Sequence, residues 1–165
     1  MAKRLLIIGN GFDIDLGLKT RYSDFSKSNN WKTLMKDTYS FDTDLLGVLL
    51  NAKEKDAWFD IEKTMDEYVR SIKPHLLVDN IINKDKANFE KVSDALSNYL
   101  KEEQENRILN EDSYAAQVLR MIVEVGGFEI YTFNYTNLEN IANSCDVKID
   151  SSKITHVHGS LENDS

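Results

Sequence analysis

The chain has 165 residues, 41% hydrophobic and 29% charged, with a formal net charge of −8. That length suits one α/β-sized domain with a real core, and the acidity argues against a protein that gains affinity by neutralising a nucleic-acid backbone, since the sequence-independent term would be repulsive. The lone Cys145 builds no disulfide framework and fits a reducing, cytoplasmic setting, and no apolar run approaches the ~18 residues of a membrane span.

The N-terminus carries no signal-peptide pattern, because the apolar run Leu5 to Ile8 is short and meets glycine at once. That run reads as a buried strand. Gly9-Asn10-Gly11 breaks it, and a helix starting near Asp13 follows, with apolar Phe12, Ile14, Leu16 and Leu18. Strand, glycine turn and helix N-terminus make a corner that can hold a phosphate, since first-turn N–H groups lack helical partners. Gly9-x-Gly11-x-x-Ile14 lacks the third glycine of the dinucleotide fingerprint, so a plain strand-to-helix turn remains the alternative.

Gly17 to Thr20 reads as a loop, and Thr20 or Ser23 caps the next helix. Tyr22, Phe25, Trp31, Leu34 and Met35 keep mostly helical spacing, broken near Ser28-Asn29-Asn30. Asp42-Thr43-Asp44 caps a helix over Leu45 to Leu50, and Lys53 to Asp56 forms a charged turn. Trp58, Ile61, Met65, Tyr68, Val69 and Ile72 form one face of a helix that Pro74 ends. His75 to Ile82 is an apolar connector, with His75 structural, and Ala87 to Ile108 is the longest predicted helix, its inner face Phe89, Val92, Leu96, Tyr99 and Leu100. Glu103 stands four residues before Arg107 on its solvated end.

A helix over Ser113 to Val125 is capped by Asp112 or Ser113 and ended by Gly126-Gly127. Phe128 to Phe133 is a strand, Thr136-x-x-Glu139 is a capping box opening a short helix to Asn143, and Ile154 to His158 is the last strand. Strands separated by helices imply an open parallel α/β sheet. The helical middle, about residues 22–125, exceeds one crossover and forms a large helical insertion after the first strand within a single α/β domain, 1–165.

Three strands run into polar residues: Gly9-Asn10-Gly11, Asn134-Tyr135-Thr136 and His158-Gly159-Ser160. In a parallel sheet such ends share one edge, where ligands of open α/β folds bind. His156, two residues before His158, is predicted on the same sheet face. Each residue also has a plainer reading. Asn134 could hold a turn, His158 a loop carbonyl, and Asp13 a helix cap; Trp58 and Tyr135 could be core.

GNGFD, GLKTRYSDF, TFNYT and HVHGS, in that order, resemble the AbiH family of bacterial phage abortive-infection proteins, and WFDIE resembles a further motif of that family. The family's corner, Asn-Tyr loop and His-Gly turn in turn resemble the sirtuin-like NAD-binding fold. The resemblance implies a Rossmann/sirtuin-like sheet and NAD or NADP as ligand or substrate. It implies pyrophosphate contacts at Gly9 and Gly11, and further cofactor contacts at Asn10, Phe12, Asp13, Thr20 and Tyr135. Asp24 and Phe25 resemble the pair over the nicotinamide pocket. Asn134 resembles the residue holding ribose or attacking water, and His158 the catalytic base. Sirtuins follow Asp-Phe with Arg where this chain has Ser26, and their zinc module needs four cysteines, so a glycohydrolase or plain binding site is implied rather than a deacetylase. No metal, nucleic-acid or membrane partner is expected, and a homo-oligomer stays open. The resemblance also implies a chain continuing past Ser165. Two alternatives stand beside hydrolysis: a nucleotide-binding sensor without turnover, and a protein-interaction module.

Overall fold

The computed structural model describes residues 4–39, 43–55, 60–72 and 79–161. Asp42, Trp58, Pro74 and His75 lie outside them. The fold is mixed α/β, with helices and a small three-stranded parallel sheet. By contact density the chain divides into two compact units, one built from residues 1–21 and 100–165, the other from residues 22–99.

In the first unit, β1 (Arg4–Ile8), β2 (Phe128–Thr132) and β3 (Ile154–His156) lie side by side in chain order, so β2 is central. Leu6 stands opposite Ile130 and Ile8 opposite Thr132, while Thr132 also pairs with His156. Side chains alternate across a strand. Leu6, Ile8, Ile130 and Ile154 therefore face one way and pack in one core with Leu16, which ends α1 (Asn10–Asp15), with Ala116, Leu119 and Ile122 of α7 (Tyr114–Val125) and with Leu138 and Ile141 of α8 (Leu138–Ser144). Full burial of a residue such as Ile130 contributes about 1.5–3 kcal/mol. The opposite face is bare: Leu5 is 61% exposed, Ile7 63% and Tyr131 41%.

The helices of this unit start where side chains satisfy the first N–H groups. Ser113 Oγ accepts from Ala116 N at 3.1 Å, and Asp15 Oδ2 accepts from Ala115 N at 2.8 Å, so α1 helps to cap α7. Gly126 and Gly127 end α7 with φ of +66° and +74°, which glycine adopts without strain. Asn137, not Thr136, caps α8, accepting from Asn140 N at 2.9 Å. Cys145 is buried and free, and burial pushes its thiol pKa up.

The second unit holds α2 (Tyr22–Phe25), α3 (Asn29–Leu34), α4 (Leu45–Lys55), α5 (Ile61–Ser71) and most of α6 (Asp79–Asn106). Ser28 caps α3 where the expected break falls, and helix continues through the predicted charged turn as far as Lys55. Phe25, Trp31, Leu49, Ile61, Val92 and Tyr99 are buried. Two expected core residues are exposed instead, Phe89 at 53% and Val69 at 65%. The inner stripe of α6 is partly polar instead. Asp85 accepts from Tyr68 Oη at 2.7 Å and from Leu45 N at 3.3 Å, and buried Asn88 donates to Asp44 at 3.5 Å. That stripe also explains the start of α6 eight residues before Ala87, since its first turns carry polar residues that hydrophobic periodicity does not detect.

Candidate functional site

Because all three strands are parallel, their C-terminal ends leave the sheet along one edge. Phe133 N donates to Ile8 O, and Val157 N to Thr132 O, each at 2.9 Å, carrying the ladder one residue past the strands. The three loops that follow belong to the first unit, and ligands of open parallel sheets bind in the crevice at that edge.

At the first corner, α1 begins at Asn10 rather than Asp13, because the Gly9 carbonyl takes the first helical bond, from Phe12 N at 2.9 Å. Gly9 is extended, with φ −132° and ψ −179°, and Gly11 is helical. Neither has positive φ, and a Cβ on either would meet no atom within 4 Å. Neither the turn nor the packing requires glycine here. What both glycines leave is open space where a side chain would stand. Phe12 is partly buried against the core. The side chain of Asn10 is paired with Thr20: the Thr20 hydroxyl donates to Asn10 Oδ1, and Asn10 Nδ2 donates to Thr20 O at 3.3 Å. Both residues thus stand together at the helix start.

Asp13 is inside α1, so it is not the cap; it is 2% exposed. Its Oδ1 accepts from Asn134 Nδ2 at 2.8 Å and its Oδ2 from the Thr136 hydroxyl at 2.7 Å. Asn134 Nδ2 also donates to Gly9 O at 3.2 Å, and Asn134 N to Thr132 Oγ1 at 3.1 Å. The first and second strand ends are thereby joined by buried polar bonds. Burial pushes the Asp13 pKa up to about 6, against the two hydrogen bonds from Thr136 and Asn134, which favour the carboxylate. Thr136, expected in a capping box, is committed to Asp13 instead, which is why Asn137 takes the cap. Sequence gave no signal for the Asp13–Thr136 pair, since the two residues are 123 apart.

His158 lies in the turn after β3, which ends at His156, so strand alternation does not carry from one histidine to the other. The His158 ring is exposed and sits 5.5 Å from the Phe133 ring and 6.1 Å from the Tyr135 ring, centroid to centroid. His156 is half-buried, and its Nδ1 is enclosed with no hydrogen-bond partner. Gly159, with φ +82°, turns the chain back so that Leu161 N reaches Tyr135 O at 3.1 Å. Asn134, Tyr135 and His158 are therefore brought to one edge with Gly9 to Asp13.

Asp24 and Phe25 are in the second unit. Phe25 is fully buried there, 5.5 Å from the rings of Trp31 and Tyr99, and Asp24 Oδ2 is enclosed without a partner. An open cavity of about 440 Å³ lies at the opposite end of the sheet from the strand-end loops, lined by Phe128, Glu129, Lys148 and Lys153 among others. Among the described residues no group of His, Cys, Asp and Glu could hold a metal ion, and no helix is long and apolar enough to cross a membrane.

A family model described as bacteriophage abortive infection AbiH matches residues 5–165. No curated protein and no solved structure matches the chain.

Proposed function

The chain belongs to the AbiH family of bacteriophage abortive-infection proteins, and from that premise we propose that it binds a nicotinamide dinucleotide, NAD or NADP, at the C-terminal edge of its sheet and hydrolyses the N-glycosidic bond. The observation that carries this reading is the joining of Gly9 to Asn134 by a hydrogen bond, with His158 packed beside Tyr135 at the same edge. We read the sheet as the remnant of a Rossmann/sirtuin-like arrangement. In this reading a pyrophosphate uses the open space at Gly9 and Gly11 to reach the first-turn N–H groups of α1 other than that of Phe12, which the Gly9 carbonyl takes. Asn10 and Thr20 stand paired at that corner, Phe12 packs against the core in the same turn, and Tyr135 presents a ring beside His158. Asp24 and Phe25 belong to the other unit and carry no part of this reading.

In the reaction, Asn134 holds the nicotinamide-side ribose or the attacking water. Water forms the new bond to the ribose carbon, and the electrons of the breaking bond leave with nicotinamide, which departs neutral. The proton released from water passes to the His158 imidazole, which acts as the general base. The test is nicotinamide release from NAD and NADP, followed by chromatography, for the wild-type chain, Asn134→Ala and His158→Ala. Release that both substitutions lower by at least about 100-fold supports general-base hydrolysis at this edge; release that survives both places the chemistry elsewhere.

One observation favours a second reading, a protein-interaction module. Leu5, Ile7, Tyr131, Phe133 and Val157 are all more than 40% exposed around the bare side of the sheet, and exposed apolar patches mark interaction sites. Absence of any NAD, NADP or ADP-ribose binding by calorimetry would favour it.

A further inference from the structure

The bond pattern at Asn134 decides what that side chain can recognise. Its Nδ2 has two hydrogens, and two acceptors face it: Gly9 O at 3.2 Å and Asp13 Oδ1 at 2.8 Å. Turning the amide over would set its oxygen against a carbonyl and a carboxylate, so these acceptors fix its orientation. Asn134 Oδ1 is not among the enclosed side-chain atoms that lack a partner, and among the described residues the bonds made by Asn134 all run through its two nitrogens. The second carboxylate oxygen of Asp13 holds Thr136, two residues further along the same loop, at 2.7 Å.

We propose that Asp13 is a positioning residue: its two carboxylate oxygens clasp Asn134 and Thr136 so that Asn134 offers a ligand only its Oδ1 and recognises a hydrogen-bond donor, such as a ribose hydroxyl or a water. This rests on the reading of Asn134 as a ligand-binding residue. It deepens that reading by assigning polarity. A carbonyl or phosphate oxygen gains nothing from Asn134, whereas a hydroxyl does. Such a clasp also explains why a carboxylate is tolerated at 2% exposure, since a buried charge is kept where hydrogen bonds satisfy it.

The test uses the full chain labelled with ¹⁵N, with the Asn134 side-chain amide identified by its loss in Asn134→Asp. In the wild type both protons of that amide should exchange with solvent at least about tenfold more slowly than those of the exposed Asn143. Asp13→Ala, which removes both acceptor oxygens, should abolish the protection and weaken ADP-ribose binding, read by calorimetry, at least about tenfold. Asp13→Asn keeps an oxygen for Asn134 and turns an amide to the Thr136 hydroxyl, so it should restore both readouts to within about threefold of wild type. A role in folding alone would instead lower stability while leaving the affinity of the folded fraction unchanged. The wild-type exchange rate depends on no variant folding. ADP-ribose binding with an unprotected Asn134 amide overturns the clasp alone. A protected amide with no ADP-ribose binding overturns the nucleotide reading and with it the ligand role of Oδ1.

Discussion

Asp13 concentrates the chemistry of the first unit in one side chain, and its titration should be visible in stability. Folded, it holds its proton to about pH 6; in the unfolded chain it would release it near 3.8. Between those values the folded state binds more protons than the unfolded state, so stability falls as pH rises through that window and is flat above it. The full difference corresponds to about 3 kcal/mol. The groups facing the carboxyl are neutral: the Asn134 amide and the Thr136 hydroxyl. Asp13→Asn should therefore flatten the midpoint of thermal unfolding between about pH 4 and pH 6 relative to wild type. Wild-type and variant curves that run parallel through the window would show that Asp13 titrates alike in both states. Gly11 offers a second separation at this scale. It is helical with open space at its Cβ position, so Gly11→Ala should raise stability by about 0.5–1 kcal/mol. The same methyl group should weaken NAD or ADP-ribose binding by filling the open space at this corner. Stabilisation with unchanged affinity would remove the corner from the ligand site.

Among elements, what could be read from the sequence was whatever depends on neighbours along the chain. The apolar run at Leu5 to Ile8, the serine before α7 and the Gly126-Gly127 stop are local signals that produce the expected strand, helix start and helix stop, but the strand is buried on one face only, with Leu5 and Ile7 exposed. What escaped depends on partners far away. Thr136 is spelled like a helix cap, yet its hydroxyl is taken by Asp13. Phe89 falls at the right spacing for the core of α6 but is displaced from it by the polar stripe of Asp85 and Asn88. The convergence of the corner with the Asn134 loop could be argued from parallel strands, but not the individual bonds that join them. Nor could the sequence show that one sheet face is bare, because an apolar run such as Leu5 to Ile8 normally marks a strand buried on both faces. That asymmetry predicts opposite outcomes for adjacent residues. Ile7, 63% exposed, should tolerate Lys within about 0.5 kcal/mol. Ile8, 3% exposed, should lose at least about 3 kcal/mol when replaced by Lys, since the ammonium would be buried without a partner. Urea denaturation of Ile7→Lys and Ile8→Lys checks this, and equal losses would mean that something covers both faces in solution.

The charge of the whole molecule sets how it meets an anionic ligand. A net charge of −8 repels a dinucleotide at long range, and none of the residues assigned to the phosphate corner, Gly9 to Asp13 with Thr20, is a Lys or Arg. In the function proposed above, the attraction is supplied by backbone N–H groups acting at contact distance, where salt screens little. Adding salt should therefore remove the repulsion and leave the attraction. Raising ionic strength from about 10 to about 150 mM shortens the screening length from about 30 to about 8 Å. Over that range the affinity for ADP-ribose should stay level or rise by up to about threefold, and the rise should be steeper for NADP, which carries more negative charge than NAD. Calorimetric titrations at the two salt concentrations read this directly. A site built on Lys or Arg gives the opposite sign, because screening then weakens the contacts that hold the phosphates. A fall in affinity with salt would thus move the phosphate contacts away from the glycine corner and onto cationic side chains elsewhere in the chain.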